Sequence, residues 1–273
     1  MLSYQELSDR AREIRILVLK SIFNAGSGHP AGSLGTADIF AAFYFGILKH
    51  DPKNPEWEDR DRFILSNGHI CPAQYAALAL SGYFLTSKLN NLRKIGSGLQ
   101  GHPHKGRLPG VETTSGPLGS GLAQAVGISL AARLDGKELR IYCLTSDGEH
   151  DSGNHWEAVA VASKYKLNNL TVIVDRNKIQ LSGDTEDIMP LEPLTDKYKA
   201  FGFNVLEIDG HDFGQIFEAV EKARNFKDGP TVIIAQTIPG KGVSFMEGKW
   251  QWHGKAPNEK EFEEAVKELE GVI

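Results

Sequence analysis

Two runs in the second half of the chain, Thr171-Val-Ile-Val174 and Thr231-Val-Ile-Ile-Ala235, put branched apolar side chains at odd and even positions alike. Successive residues of a strand face opposite ways, so such a run is stable only when both faces of its sheet are covered. A parallel sheet with helices packed on either side meets that condition. The segments around these runs have the alternation such a sheet needs. From Gly121 the pattern predicts a helix to Leu134, a strand over Leu139–Thr145, a helix over Asn154–Tyr165 and a strand over Leu170–Asp175. A strand at Asn204–Ile208, a helix at Asp212–Arg224 and a strand at Thr231–Thr237 follow. The expected fold class is α/β, a doubly wound, mainly parallel sheet with helices on both faces, with residues 1–273 as a single domain.

The first half is less regular. Leu7, Ala11, Ile14 and Val18 recur at helical spacing and predict an amphipathic helix over Tyr4–Asn24. A glycine-rich loop, "NAGSGHPAGSLG", comes next, then a helix over Thr36–Leu48 and a charged linker, "KHDPKNPEWEDRD". "RFILS" reads as a short buried strand, and helices are expected at Pro72–Leu80 and Ser87–Lys94. Gly96 to Ser120 is a loop dense in glycine, proline and threonine; loops of that length in compact domains are functional or disordered. Asn258 with Glu261 forms a capping-box pattern that opens a last helix.

The net charge of −5, with no basic run, argues against nucleic acid or anionic membranes as partners. No run reaches the ~18 apolar residues of a membrane span. The N-terminus is charged from the start and lacks the apolar core of a signal peptide, so a soluble cytoplasmic protein is expected. Cys71 and Cys143 are far apart, and the second lies inside a predicted strand; they read as buried reduced thiols.

Five of the nine histidines adjoin a glycine in a predicted loop: His29, His69, His102, His211 and His253. Ordinary loop composition accounts for any one such pair. Together they favour a cleft where backbone approaches a ligand and imidazoles line the wall. His211 is the weakest member, because "DGHD" also serves as a turn with Asp212 as helix cap. Standard nucleotide sites do not fit. The chain has no G-x-x-x-x-G-K-[ST] motif, and its near-match to a dinucleotide fingerprint, "GSGHPA", follows a helix instead of a strand.

"CLTSDGEHDSGNHWEA" has the strand, glycine loop and helix of a phosphate-binding turn, yet carries Asp147 where an anion is expected. Asn177 lies just past the next predicted strand. If the two strands are parallel neighbours, Asp147 and Asn177 meet at the C-terminal sheet edge, where α/β proteins bind ligands. One carboxylate, one amide oxygen and a main-chain carbonyl make a hard-oxygen set suited to Mg2+ or Ca2+ rather than zinc. Asp147 then grips the cation that carries the phosphates, and Gly148 lets the next helix N-terminus approach them. A turn with an Asx cap is the alternative for an isolated "SDG".

Asp147-Gly148, followed by Asn177 in "YKLNNLTVIVDRNKIQLSG", resembles the thiamin-diphosphate signature. More narrowly, the chain is similar to the N-terminal, diphosphate-binding domain of transketolases. "SGHPAGSLGTADI", "DRFILSNGHICPAQYAAL", "GHPHKGRLPGVETTSGPLGSGLAQAVG" and "WHGKAP" carry the resemblance in the family's order, from about Leu7 to Pro257. It implies the thiamin-diphosphate-binding fold, with Asp147, Asn177 and the carbonyl of Ile179 holding a divalent ion on the diphosphate. It also implies that His69, Gly148 and His253 contact the diphosphate region and that Gly116 and Leu118 support the aminopyrimidine. His29, His102 and His253 would surround the reactive carbon and hydrogen-bond the sugar. Glu157 keeps its family acid and is carried over as a cofactor-binding residue, and Lys241 either reaches the diphosphate or is a plain loop lysine.

The family has two further domains, one supplying a glutamate to the cofactor's pyrimidine and residues that bind sugar phosphate. A chain of this length implies a split transketolase, with those domains on a separate partner chain and two of each chain in the assembly. The implied reaction is transfer of a two-carbon ketol unit from a ketose phosphate to an aldose phosphate, as in the pentose phosphate pathway. Dihydroxyacetone or 1-deoxyxylulose-5-phosphate synthesis, or an inactive cofactor-binding paralogue, are the alternatives. Ser146 stands where the signature usually has glycine. Ser152 stands where the family usually has glutamate, which puts coupling between paired sites in question. "HPHKGRLPG" is more basic than the family pattern, so Lys105 or Arg107 is a candidate for an added phosphate contact.

Overall fold

Alternate residues of the central strands feed two separate cores. Phe63, Leu65, Tyr142, Leu144, Ile173 and Ile233 pack on one side, and Ile64, Cys143, Val172, Val174, Val232 and Ile234 on the other. This is the two-faced burial that the apolar runs predict. The computed structural model of the chain describes residues 2–272. Its main sheet has five parallel strands in the order β1-β2-β3-β7-β6. They are β1 (Arg62–Leu65), β2 (Ile141–Ser146), β3 (Leu170–Arg176), β6 (Asn204–Asp209) and β7 (Thr231–Gln236). A separate two-stranded antiparallel hairpin joins β4 (Ile179–Gln180) to β5 (Gly183–Asp184).

One face is covered by α1 (Tyr4–Ala25), α2 (Pro30–Gly35), α3 (Ala37–Ala42), α4 (Cys71–Leu80), α9 (Phe213–Asn225) and α10 (Glu259–Glu270). The apolar stripe of α1, from Leu7 through Ile22, is fully buried there. The other face is covered by α5 (Ser120–Leu134), α6 (Gly153–Lys164) and α8 (Leu194–Ala200). A single-turn helix, α7 (Thr185–Ile188), follows the hairpin. Among the described residues no helix is long and apolar enough to cross a membrane. Cys71 and Cys143 are buried and unpaired.

The boundaries differ from the sequence reading where an element is too short to show a period. The loop "NAGSGHPAGSLG" contains α2, started by Pro30 at a position where the missing N–H costs nothing. The helix expected to Leu48 changes at Phe43 to a wider π-type turn, and Ser87–Lys94 is only a 3-10 turn, Thr86–Asn91. The hairpin, α7 and α8 have no counterpart in the sequence reading.

Two close approaches set the floor of the site. The register pairs Ser146 with Asp175, so β2 and β3 end side by side. Gly121 brings α5 onto the end of β1: a Cβ there would lie 2.5 Å from the Cα of Ser66, whose hydroxyl accepts the Gly121 N–H at 3.1 Å. Gly121→Ala is expected to cost about 1–3 kcal/mol, because backbone rather than a flexible side chain must move. Equilibrium urea unfolding measures this, and an unchanged midpoint would contradict the close approach.

Candidate active site

The C-terminal ends of β2 and β3 open into a cleft of about 290 Å³. His29, His69, His102, Gly116, Leu118, Asp147, Gly148, Asn177, Ile179 and His253 all line it, with Ser146, Gln180 and Leu181. Of the residues predicted for the site, all but Glu157, Lys241, His211, Lys105 and Arg107 are therefore in one place. They come from separate stretches of chain, brought together because β2 and β3 end in register.

Asp147 opens a tight 3-10 turn, Asp147–Asp151, directly after β2. Its two carboxylate oxygens are in different surroundings. Oδ2 accepts from Arg176 Nη1 at 3.1 Å and from the Lys178 backbone N–H at 2.7 Å. Oδ1 accepts the N–H of Gly148, at 2.9 Å, and keeps lone-pair capacity. Lys178 reaches Oδ2 because its backbone is left-handed, φ +65°, an uncommon state for a residue with a Cβ. Burial pushes the Asp147 carboxyl up to about 6 against the pull of Arg176. A cation at Oδ1 would restore the stabilisation that water no longer gives.

The amide of Asn177 is oriented from both ends. Its Nδ2 donates to Asp175 Oδ2 at 2.8 Å, and its Oδ1 accepts the Ile179 N–H at 3.0 Å. Oδ1 has a second lone pair available. In the hairpin, the Thr185 N–H donates to the Lys178 carbonyl at 2.9 Å. Antiparallel pairs alternate, so the next pair, Ile179 with Asp184, turns its N–H and C=O away from the partner strand. The Ile179 carbonyl is thus left for another ligand. Among the described residues no group of three His, Cys, Asp or Glu could hold a metal. An ion in this cleft would be held by Asp147 Oδ1, Asn177 Oδ1 and the Ile179 carbonyl, a set that fits Mg2+ or Ca2+ completed by phosphate and water oxygens.

His29, His69 and His253 form a close triangle, with ring centroids 5.1 Å apart for His29–His69, 5.6 Å for His29–His253 and 5.1 Å for His69–His253. Burial lowers all three and pushes His29 down to about 4, helped by the neighbouring His253 and by the guanidinium of Arg93. His102 is lowered by the same two kinds of effect, burial first and then Arg93. At neutral pH the cleft therefore presents uncharged imidazoles, each able to accept at one nitrogen and donate at the other. Nδ1 of His29 is buried without a partner among the described residues. Gly116 packs beside this wall, where a Cβ would make only ordinary contact with the His102 ring at 3.8 Å.

A model of the family "Transketolase, thiamine diphosphate binding domain" matches residues 7–271. The chain belongs to the transketolase family. It is an N-terminal, thiamine-diphosphate-binding transketolase chain. The 6-deoxy-6-sulfo-D-fructose transketolase subunit SqwG of Clostridium sp. (strain MSTE9) is 44% identical over 265 residues, 97% of this chain and 96% of that one. An apulose-4-phosphate transketolase subunit of Actinobacillus succinogenes is 43% identical over 271 residues, 98% of this chain and 97% of that one. A solved transketolase from Leishmania mexicana superposes with a TM-score of 0.92 at 35% identity, covering 99% of this chain and 42% of that one. The chain thus matches subunit-sized relatives over nearly their whole length and spans about two fifths of a transketolase with 42% coverage.

The remaining predicted residues lie outside this transketolase cleft. Glu157 is on the exposed face of α6, because the helix turns that position away from the sheet. Lys241 sits in the turn after β7, 3.9 Å from Glu247 and not in the cleft. Lys105 and Arg107 are exposed on the long loop. His211 is structural: Nδ1 pairs with Asp38 at 2.7 Å and Nε2 accepts the Ile238 N–H at 2.9 Å. Two residues that position the site have no place in the sequence reading. Arg176 locks Asp147, and fully buried Glu149 ties three loops together, accepting from Ser66 Oγ and Gly119 N–H at 2.7 Å each and from Ser146 N–H at 3.0 Å. The spacing Ser146-x-x-Glu149 is a capping box, and that pattern was the available signal for Glu149.

The imidazole of His29 is expected to stay neutral until about pH 4. NMR of its ring protons over a pH titration checks this, and a midpoint near the ordinary value of about 6.5 would contradict the burial argument.

Proposed function

We propose that the chain holds the diphosphate end of thiamine diphosphate in this cleft through Mg2+ or Ca2+, and that with a partner chain it transfers a two-carbon ketol unit from a ketose phosphate to an aldose phosphate. The observation that carries this reading is that Asp147, Asn177 and Ile179 line the same cleft as four imidazoles, His29, His69, His102 and His253. When bound, thiamine diphosphate supplies the nucleophilic carbon that takes up and releases the ketol fragment. The remaining work falls to the chain's own side chains.

Asp147, Asn177 and Ile179 would hold the ion, whose charge would offset the repulsion between Asp147 and the phosphates. His69 and His253 contact the diphosphate from their side of the triangle, and Gly148 leaves the turn after β2 free of a side chain. Gly116 and Leu118 support the pyrimidine half. His29, His102 and His253 hydrogen-bond the hydroxyls and carbonyl oxygen of the sugar. Because they are neutral, each has a lone pair that can take a proton from a sugar hydroxyl, and the imidazolium so formed can give it back. Glu157 and Lys241 have no diphosphate contact in this scheme.

The pyrimidine-binding and C-terminal domains are assigned to a separate partner subunit, with two of each chain in a cytoplasmic assembly. The relatives that this chain matches end to end are themselves named as subunits. One of those names carries a 4-phosphate sugar and the other a 6-sulfo sugar, so a substrate panel needs both anionic groups.

The purified chain alone is expected to show no ketol transfer, and co-expression with its partner subunit to restore it; turnover by the single chain would refute the split arrangement. Asp147→Ala is expected to abolish divalent-ion-dependent binding of thiamine diphosphate to the assembled enzyme. Calorimetry that found unchanged affinity would overturn the ion assignment.

A further inference from the structure

His150 and His155 are buried beside the Asp147 turn, line no part of the cleft and have no role in the function proposed above. Nδ1 of His150 lies 3.0 Å from the carbonyl oxygen of Ser146 and 3.1 Å from that of Asp147. Carbonyl oxygens only accept, so this nitrogen carries a hydrogen. Its Nε2 is 2.9 Å from the Tyr198 hydroxyl oxygen, and Nε2 of His155 is 2.8 Å from the same oxygen. The hydroxyl has one hydrogen, so it can donate to only one of the two imidazoles. Both rings are shut away from water, with 4% and 0% of each residue exposed, and neither has a carboxylate partner, so both are neutral.

These facts leave one arrangement. A neutral His150 has its hydrogen on Nδ1, so its Nε2 accepts the Tyr198 O–H. The Tyr198 oxygen then accepts the Nε2–H of His155. Nδ1 of His155 is left as a bare lone pair, and it is buried without a partner among the described residues. The opposite tautomer would bury an unpaired N–H, the rarer kind of orphan. The turn is held at its far end as well, where the Trp156 indole N–H donates to the His150 carbonyl at 2.8 Å.

We infer that His150 and Tyr198, backed by His155, are positioning residues for the turn that presents Asp147 and Gly148. They act through a one-way chain of hydrogen bonds, from His155 Nε2–H to Tyr198, from Tyr198 O–H to His150, and from His150 Nδ1–H to the successive carbonyls of Ser146 and Asp147. The consequence for ligand binding rests on the cleft function proposed above; the tautomers do not.

Nitrogen-15 NMR of the labelled full chain, with no cofactor or partner present, tests the chain of bonds. At pH 7 the expected result is His150 as the Nδ1–H tautomer and His155 as the Nε2–H tautomer. His150 as the Nε2–H tautomer, or either ring doubly protonated, overturns it. Calorimetry of thiamine diphosphate with Mg2+ on the assembled two-chain enzyme tests the positioning role. Tyr198→Phe keeps the ring and His150→Phe keeps the bulk; each is expected to weaken binding about tenfold, the lower end of the range for partners behind a metal ligand. His150→Asn, whose amide N–H can reach the same carbonyls, is expected to recover most of that loss. Wild-type affinity in the two Phe variants, or equal loss in His150→Asn and His150→Phe, overturns the role whatever happens to thermal stability. A wild-type enzyme that bound no cofactor would refute the cleft function instead, and the tautomer result would still decide the hydrogen-bond chain.

Discussion

Arg176 is the last residue of β3, is 2% exposed, and its guanidinium reaches four separate groups. Nη1 donates to Asp147 Oδ2 at 3.1 Å and to Thr185 Oγ1 at 2.8 Å; Nη2 donates to Glu186 and Glu192 at 2.9 Å each. The ends of β2 and β3 and the segment after the hairpin are thereby tied to one planar group. Taking such charges out of water is costly, and removing one partner of a buried pair leaves the other uncompensated, at about 3–5 kcal/mol. Arg176 consequently fixes which oxygen of Asp147 is committed to the protein and which is left over.

The rest of the site follows from that division. With Oδ2 occupied by Arg176 and Lys178, Oδ1 is the Asp147 oxygen with spare capacity, and Asn177 and Ile179 flank the left-handed turn at Lys178 and line the same cleft. Asp175, one residue before Arg176, is raised to about 7 by burial and by the nearby charge of Asp147. The strand ends are thus acidic and poorly solvated, while the imidazoles in the cleft are neutral. Such surroundings suit a small hard cation, and the proposed ion would let a carboxylate stand beside a phosphate.

The sheet was legible because its strands are apolar on both faces, a pattern that admits few arrangements. The cleft was legible for a related reason. Asp147 and Asn177 follow consecutive strands, and consecutive strands joined by a helix tend to be parallel neighbours. What sequence could not show depends on side chains reaching across the fold. Arg176 reads as the polar end of a strand until its partners at 147, 186 and 192 are in place. Tyr198 reads as one aromatic on a short helix until His150 and His155 meet its hydroxyl. The hairpin at 179–184 is missed because two-residue strands have no period to detect. Glu157 and Lys241 were assigned by resemblance alone, and no local pattern indicated that one faces solvent and the other turns towards Glu247.

The most direct test of the ion site is a crystal structure of the chain with its partner, thiamine diphosphate and Mn2+, with the ion located by its anomalous signal. One ion is expected about 2.1–2.3 Å from Asp147 Oδ1, Asn177 Oδ1 and the Ile179 carbonyl, with Asp147 Oδ2 still on Arg176. An ion bound elsewhere, or a diphosphate seated in the cleft on protein groups alone, would contradict it.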